Sequence, residues 1–167
     1  MQSQPRSVEQ LIDKHRSNGL LIDTNLLLLL AIGSMKRGLI EKFKRTDKYL
    51  REDFQKVAEI RRQFTKHFIT PNILTETDNL GRQLPESDWP AFAEVMLSLT
   101  RSLTEQYVPS HSVTTSGLYA KYGLSDVASL TIGQPFLLLT DDLKMYGAAL
   151  GSGIDAINLN HLRYSWQ

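Results

Sequence analysis

The chain has 167 residues, of which 41% are apolar and 22% are charged, and its formal net charge is +1. This length suits one domain over residues 1–167, and the longest apolar run, Leu26 to Ile32, is far below the ~20 residues that cross a bilayer. The lack of cysteine excludes disulfides and thiolate chemistry, so we expect a protein of the reducing cytoplasm with no membrane partner.

Hydrophobic spacing, together with glycine, proline and capping residues, predicts alternating helices and strands along the chain. The first half predicts a helix at Val8–His15 within a polar lead-in at 1–18, a strand at Leu20–Asp23, a helix at Asn25–Ile32, one or two helices in a basic segment at 34–67, a strand at His67–Thr70 and a helix at Pro71–Leu80. The second half predicts a helix from Ser87 to Leu103, an edge strand at Tyr107–Pro109, helices at Val113–Tyr122 and Asp126–Ile132, a strand at Phe136–Thr140, a helix at Asp141–Leu150, a strand at Ala156–Leu159 and a polar, aromatic tail from His161. This alternation favours a three-layer α/β/α domain with a mainly parallel sheet of four or five strands.

Positive charge is concentrated between Met35 and Lys66. This stretch holds eleven of the nineteen Lys and Arg residues and five Asp or Glu residues, a local net charge of +6. A basic surface beside an acidic pocket suits a polyanion, whereas the alternative is an ordinary solvated helical face. The candidate nucleic-acid-binding residues are Lys42, Lys44, Arg45 and Lys48. Phe43, Tyr49 and Phe54 lie among them and are candidates either for stacking on bases or, for the phenylalanines above all, for core packing.

Carboxylates stand at or just after four apolar segments. Asp23, Asp126 and the adjacent pair Asp141 and Asp142 each end such a segment, and Glu76 lies in the helix that follows the second strand. Strands that are apolar on both faces are buried in parallel sheets, and ligands bind outside the carboxyl ends of such strands. Acids at several of these ends converge on one pocket, where a divalent cation relieves their repulsion. The sequence therefore predicts a metal-dependent hydrolytic site, although each acid alone also fits a helix cap, a first-turn acid or an exposed helical glutamate.

Four motifs, taken in order, resemble the successive acidic motifs of PIN-domain proteins. They are Ile22-Asp23-Thr24-Asn25, Thr70-Pro71-Asn72-Ile73-Leu74-Thr75-Glu76, Leu124-Ser125-Asp126 and Leu139-Thr140-Asp141-Asp142. The resemblance runs from about Gly19 to Leu159. It implies a three-layer α/β/α domain with metal-dependent single-strand ribonuclease activity, as in the toxin nucleases of bacterial toxin–antitoxin pairs.

The same resemblance implies roles for individual residues. The catalytic, metal-binding acids would be Asp23, Glu76, Asp126 and Asp142, with Asp141 as the alternative to Asp142 and with Asn25 and Thr140 as polar supports. All of these acids are oxygen donors, which suits Mg²⁺ or Mn²⁺ better than Zn²⁺. A cation held by Asp23, Asp126 and Asp142 would activate water and polarise a phosphate, and Glu76 would orient that water or hold a second ion.

The main hypothesis is a Mg²⁺- or Mn²⁺-dependent endoribonuclease acting on single-stranded RNA. Its further candidate partners are an antitoxin protein and a second copy of the chain. The alternative hypothesis is a non-catalytic PIN-like module that binds RNA or a protein. A third is a phosphoryl-transfer domain with Asp23 as the covalent acceptor, for which Lys144 is the only candidate lysine near the fourth strand.

Overall fold

The computed structural model describes residues 6–164, which form alternating strands and helices. The strands are β1 Leu20–Ile22, β2 His67–Ile69, β3 Thr104–Glu105, β4 Leu137–Thr140 and β5 Ala156–Asn158. The helices are α1 Val8–His15, α2 Thr24–Met35, α3 Arg51–Arg62, α4 Pro71–Gly81, α5 Trp89–Arg101, α6 Ser110–Thr114, α7 Tyr119–Ile132, α8 Leu143–Gly151 and α9 Leu159–Tyr164. Within this part of the chain no helix has the length and apolar character needed to cross a membrane.

All five strands pair in parallel, in the order β3-β2-β1-β4-β5. The predicted α/β class with a parallel sheet is confirmed, and the architecture is consistent with three layers, α/β/α. The strand order reverses between β1 and β4, where Leu21 of β1 pairs with Phe68 on one side and with Leu138 on the other. Such a reversal opens a crevice at the carboxyl ends of the two strands, which is the usual ligand site in a sheet of this kind.

The core is built around β1, β4 and the helix α2. Every residue of β1 and β4 is buried, and so is each residue from Leu26 to Ile32 in α2. A helix that is apolar on all sides belongs in the interior, and α2 accordingly packs against α3, α4 and α5. The chain entering α2 from β1 is therefore fixed on every side, and Asp23 stands at that junction.

The basic segment at 34–67 is helical only in part. Of the one or two helices predicted in this segment the structure has one, α3, whereas residues 40–50 form successive turns after a single 3₁₀ turn at Arg37–Leu39. The reason is a period of three residues rather than 3.6, because four buried side chains recur at this spacing: Ile40, Phe43, Thr46 and Tyr49. The Thr46 hydroxyl donates to the Ile40 carbonyl at 2.8 Å and so satisfies a buried acceptor within these turns.

Two further predictions are wrong in position. The edge strand is Thr104–Glu105 rather than Tyr107–Pro109, because the chain pairs with β2 as soon as α5 ends, and Pro109 instead precedes α6. The predicted strand at Ala156–Leu159 ends one residue earlier, at Asn158. The helix α9 begins at Leu159 and continues into the tail, for which no helix was predicted. There the Asn158 side chain accepts a hydrogen bond from the Asn160 N–H at 2.9 Å, which turns the chain out of the sheet.

Tight contact between α2 and α3 gives a matched pair of glycine substitutions. A Cβ at Gly33 would overlap the buried ring of Phe54, whereas a Cβ at Gly147 in α8 would meet nothing within 4 Å. We expect Gly33→Ala to lower the free energy of unfolding by about 1–3 kcal/mol through overpacking. Gly147→Ala should be neutral or stabilising by up to ~1 kcal/mol, because alanine favours the helix. Urea denaturation of both variants measures the difference, and equal effects would contradict the packing described for α2.

Candidate functional site

The four carboxylates predicted to form a site line one pocket. Asp23, Glu76, Asp126 and Asp142 surround a volume of about 330 Å³, whose wall is completed by Thr24, Asn25, Asn79 and Leu80. Asp23 follows β1, Asp142 follows β4, and α4 and α7 contribute the other two acids. The pocket therefore lies at the carboxyl ends of the two strands between which the strand order reverses.

Asp23 is fixed by the backbone of both central strands. Its N–H donates to the Leu139 carbonyl at 3.0 Å, which extends the pairing of β1 with β4 by one residue. One carboxylate oxygen accepts from the Thr24 N–H at 2.8 Å, and the other accepts from the Thr140 hydroxyl at 2.6 Å. The side chain is only 7% exposed. Burial raises the pKa of Asp23, and the nearby Asp141 and Asp142 raise it further, against the lowering effect of the two hydrogen bonds.

The adjacent acids Asp141 and Asp142 have different surroundings. Asp142 lines the pocket and caps α8, because its Oδ1 accepts from the Lys144 N–H at 2.6 Å. Asp141 is outside the pocket lining, and its Oδ2 accepts from the Lys48 ammonium and the Tyr49 hydroxyl, each at 2.6 Å. Burial alone would raise the pKa of Asp141, but the hydrogen bonds from Lys48 and Tyr49 outweigh burial and lower it. The geometry thus favours Asp142 as the acid available to a ligand.

The two predicted polar supports contact these acids. The Asn25 amide donates to Asp141 Oδ1 at 3.2 Å. The Thr140 hydroxyl donates to Asp23 and also accepts from the Asp142 N–H at 3.0 Å, so it links the acids of β1 and β4.

Glu76 and Asp126 complete the pocket from the two flanking helices. The Thr24 hydroxyl donates to Glu76 Oε2 at 2.8 Å and so ties α4 to the start of α2. Asp126 lies in α7 shortly after Gly123, where a φ of 81° interrupts the helix. Burial raises the pKa of Asp126 to about 7, with further contributions from the negative charges of Asp23, Asp142 and Glu76. The other three pocket carboxylates therefore all act on Asp126.

The pocket acids lack a balancing cation in the part of the chain that the structure describes. Among residues 6–164, none of the four forms an ion pair, and the nearby Lys48 is paired with Asp141 instead. In the same part of the chain, no three His, Asp or Glu side chains are arranged as a ready cage for a metal ion. The donor chemistry still fits Mg²⁺ or Mn²⁺, because Mg²⁺ commonly keeps several waters and binds through only one or two carboxylates.

The basic residues predicted to bind nucleic acid are all exposed, but two of them are engaged. Lys48 pairs with Asp141, and the Arg45 side chain donates to Gln83 Oε1 at 2.6 Å. Lys42 and Lys44 have no hydrogen-bond or ion-pair partner in the described part of the chain, so they remain available to phosphates.

Base stacking by the aromatic residues of this segment is a wrong prediction. Phe43, Tyr49 and Phe54 are all buried, and the Tyr49 hydroxyl is bound to Asp141. Core packing, the alternative for the phenylalanines, is what the structure has. Lys144, the candidate lysine of the phosphoryl-transfer hypothesis, lies exposed in α8.

Sequence reasoning missed the residues that hold this site from a distance. Thr24 received no predicted role of its own in the site, although its hydroxyl donates to Glu76, and the contact of Tyr49 with Asp141 joins positions 92 residues apart in the chain. In the unassigned tail, the Asn160 amide donates to the Asp141 carbonyl at 2.7 Å, and Arg163 binds both carboxylate oxygens of Asp53. No local sequence pattern predicts these contacts, except that Thr24 directly follows Asp23.

No protein-family model matches the chain, and no curated protein matches it.

The burial of Asp126, together with repulsion from the other pocket acids, predicts a pH-dependent gain in stability when its charge is removed. Because the folded-state pKa of Asp126 is about 7 and its ordinary value is 3.8, the folded protein keeps a proton that the unfolded chain releases in this range. Stability is therefore lost as the pH rises from about 4 to 7. Asp126→Asn should raise the free energy of unfolding at high pH by about 1–2 kcal/mol, allowing for solvent screening, and by less near pH 5.

Urea denaturation of Asp126→Asn and of the parent protein, at high pH and near pH 5, measures this gain in the free energy of unfolding. The control is Asp47→Asn, which neutralises an exposed carboxylate without an ion-pair partner among residues 6–164 and should change little at either pH. An Asp126→Asn variant that is equally or less stable than the parent at high pH would contradict the described repulsion.

Proposed function

We propose that this protein is a Mg²⁺- or Mn²⁺-dependent endoribonuclease that hydrolyses phosphodiester bonds of single-stranded RNA. One observation carries the proposal: four carboxylates line a single pocket at the strand-order reversal, and no cation among residues 6–164 pairs with them. An arrangement of this kind is costly unless it serves a cationic ligand. The resemblance of the four acidic motifs to those of PIN-domain proteins supports the same activity.

The residues that would hold the ion, directly or through its bound waters, are Asp23, Asp126 and Asp142, which all line the acid pocket. When bound, the ion would neutralise these acids, polarise the scissile phosphate and make a bound water more acidic. Asp23 and Asp142 are held rigidly by their capping bonds to α2 and α8. Asp126 is the adjustable member of the set, because its pKa of about 7 allows it to hold or release a proton near neutral pH.

Glu76 would orient the water that attacks the phosphate. The Thr24 hydroxyl occupies Glu76 Oε2, which leaves Oε1 as an acceptor for a water proton. Glu76 is exposed at the pocket rim, where water has access. Thr24 is thus a positioning residue for Glu76.

The substrate of such a site is a flexible polyanion. The side chains of Lys42 and Lys44 are unpaired among the described residues, and they would contact phosphates that flank the scissile bond. Lys48 has a different role, because its charge holds Asp141 and the turns at 40–50 against the site. The resemblance extends the proposal to the toxin of a toxin–antitoxin pair, with an antitoxin protein as partner.

A second candidate function is a non-catalytic PIN-like module that binds RNA or a protein. It is favoured by the lack of any ready three-ligand cage among the described His, Asp and Glu side chains. It also agrees with the exposed basic residues, which need no catalytic acid to bind RNA.

Cleavage of labelled single-stranded RNA separates the two functions. With added Mg²⁺ or Mn²⁺ the parent protein should cleave, and Asp23→Asn should cleave at least about 100-fold more slowly because a ligand of the ion is lost. Asp47→Asn is the matched control and should cleave normally. Cleavage unchanged in Asp23→Asn would contradict the nuclease proposal, and RNA binding without metal-dependent cleavage by the parent would favour the module.

A further inference from the structure

A second pocket of about 320 Å³ opens beside the acid pocket, and Glu76 lines both. Its walls come from the start of α4, from the segment between β3 and α6, and from α7 directly after the break at Gly123. We call it the Tyr107 pocket and define it by Asn72, Thr75, Tyr107, Ser110, Leu124 and Ser125. Its volume is at the lower end of the range of ~300–1,000 Å³ found for pockets that bind small organic groups.

Tyr107 presents an exposed ring to this pocket. It is 75% exposed, more than any other large hydrophobic side chain among residues 6–164. The chain on either side is fixed, because the Gln106 N–H donates to the Ile69 carbonyl at 2.8 Å and Val108 is buried against Val113. The backbone that carries Tyr107 is thus held at a defined place, while its ring stays outside the core. Exposed, fixed aromatic rings are the platforms on which single-stranded nucleic acids stack their bases.

Polar groups with unused hydrogen-bonding capacity surround the ring. The Asn72 amide and the hydroxyls of Ser110 and Ser125 have no hydrogen-bond partner in the described part of the chain. The Thr75 hydroxyl donates to the Pro71 carbonyl at 2.9 Å and can still accept. An amide offers both donors and an acceptor, and a hydroxyl offers one of each kind, so together they match the mixed edge of a base.

The charge of the pocket favours a base over a phosphate. Its lining among residues 6–164 contains no Lys or Arg, and its only charged side chain is Glu76. A phosphate group would therefore be repelled, whereas a neutral planar ring loses little on entering. The shared residue Glu76 makes this pocket a direct neighbour of the acid pocket, so one strand of nucleic acid can reach both.

We propose that the Tyr107 pocket binds one base of the RNA strand, adjacent to the phosphate that lies in the acid pocket. This inference rests on the proposed ribonuclease function and adds a base-binding subsite to it. Tyr107 stacks on the base, and Asn72, Ser110 and Ser125 contact its edge. The subsite explains why the protein would need a single strand, because a base can turn out of the strand into a side pocket only when it is unpaired.

The test measures RNA binding separately from cleavage. Fluorescence anisotropy follows short labelled single-stranded RNAs, in EDTA and in Mg²⁺, with the parent protein, Tyr107→Ala, Tyr107→Phe and Tyr119→Ala. Tyr119 is 38% exposed and lines neither pocket, so it is the matched control. A second RNA series carries one abasic nucleotide at each position in turn.

We expect Tyr107→Ala to weaken binding by about 5- to 150-fold, the range for loss of one stacking platform, and Tyr107→Phe and Tyr119→Ala to stay within about twofold of the parent. An abasic nucleotide at one position should weaken binding of the RNA to the parent protein. The same abasic nucleotide should not weaken binding to Tyr107→Ala any further. Equal abasic losses in both proteins, normal binding by Tyr107→Ala, or no RNA binding by the parent would each overturn the subsite.

Cleavage of the same RNAs in Mg²⁺ separates this inference from the function on which it rests. Base-dependent binding through Tyr107 without any cleavage would refute the nuclease and leave the subsite standing. If the parent protein cleaves the RNA and Tyr107→Ala cleaves it at the same rate, the subsite is refuted and the nuclease proposal stands.

Discussion

Electrostatic repulsion among carboxylates is the constraint around which this protein is built. Asp23 and Asp142 follow neighbouring parallel strands, so the sheet itself forces their side chains to the same edge. Glu76 and Asp126 then approach from α4 and α7 and raise the local negative charge further. A fold tolerates such a cluster only where rigid elements hold it, and the largely buried α2 and the central strands provide that rigidity.

The protein neutralises one acid of this edge and leaves the others available. Lys48 and Tyr49 both bind Asp141, and Asn160 binds its carbonyl from the far end of the chain. Arg163 then ties the backbone of Lys48 to Asp53 at the start of α3. The basic segment and the tail therefore form one network behind Asp141, which supports the site without entering it. Part of the positive charge of the basic segment therefore supports the fold and is not available to a polyanion.

The local sequence pattern predicts the strands and helices whose burial depends on their own apolar residues. The apolar runs before Asp23 and Asp142 predict buried parallel strands, and burial of both strands places those acids at one edge. The distinction between Asp141 and Asp142 was beyond the sequence, because it depends on Lys48, which lies 93 residues away from Asp141. The turns at 40–50 were mistaken for helix because periods of 3 and 3.6 residues differ little over so short a stretch.

Calorimetric titration with Mn²⁺ at pH 7, repeated in two buffers of different ionisation enthalpy, tests the central claim most directly. The acid pocket should bind the ion and release protons on binding, because Asp126 has a pKa of about 7 and is partly protonated in the free protein. Asp126→Asn should lose most of that proton release. Absence of Mn²⁺ binding at millimolar concentration, or binding without any release of protons, would contradict the account of an acid pocket that requires a cation.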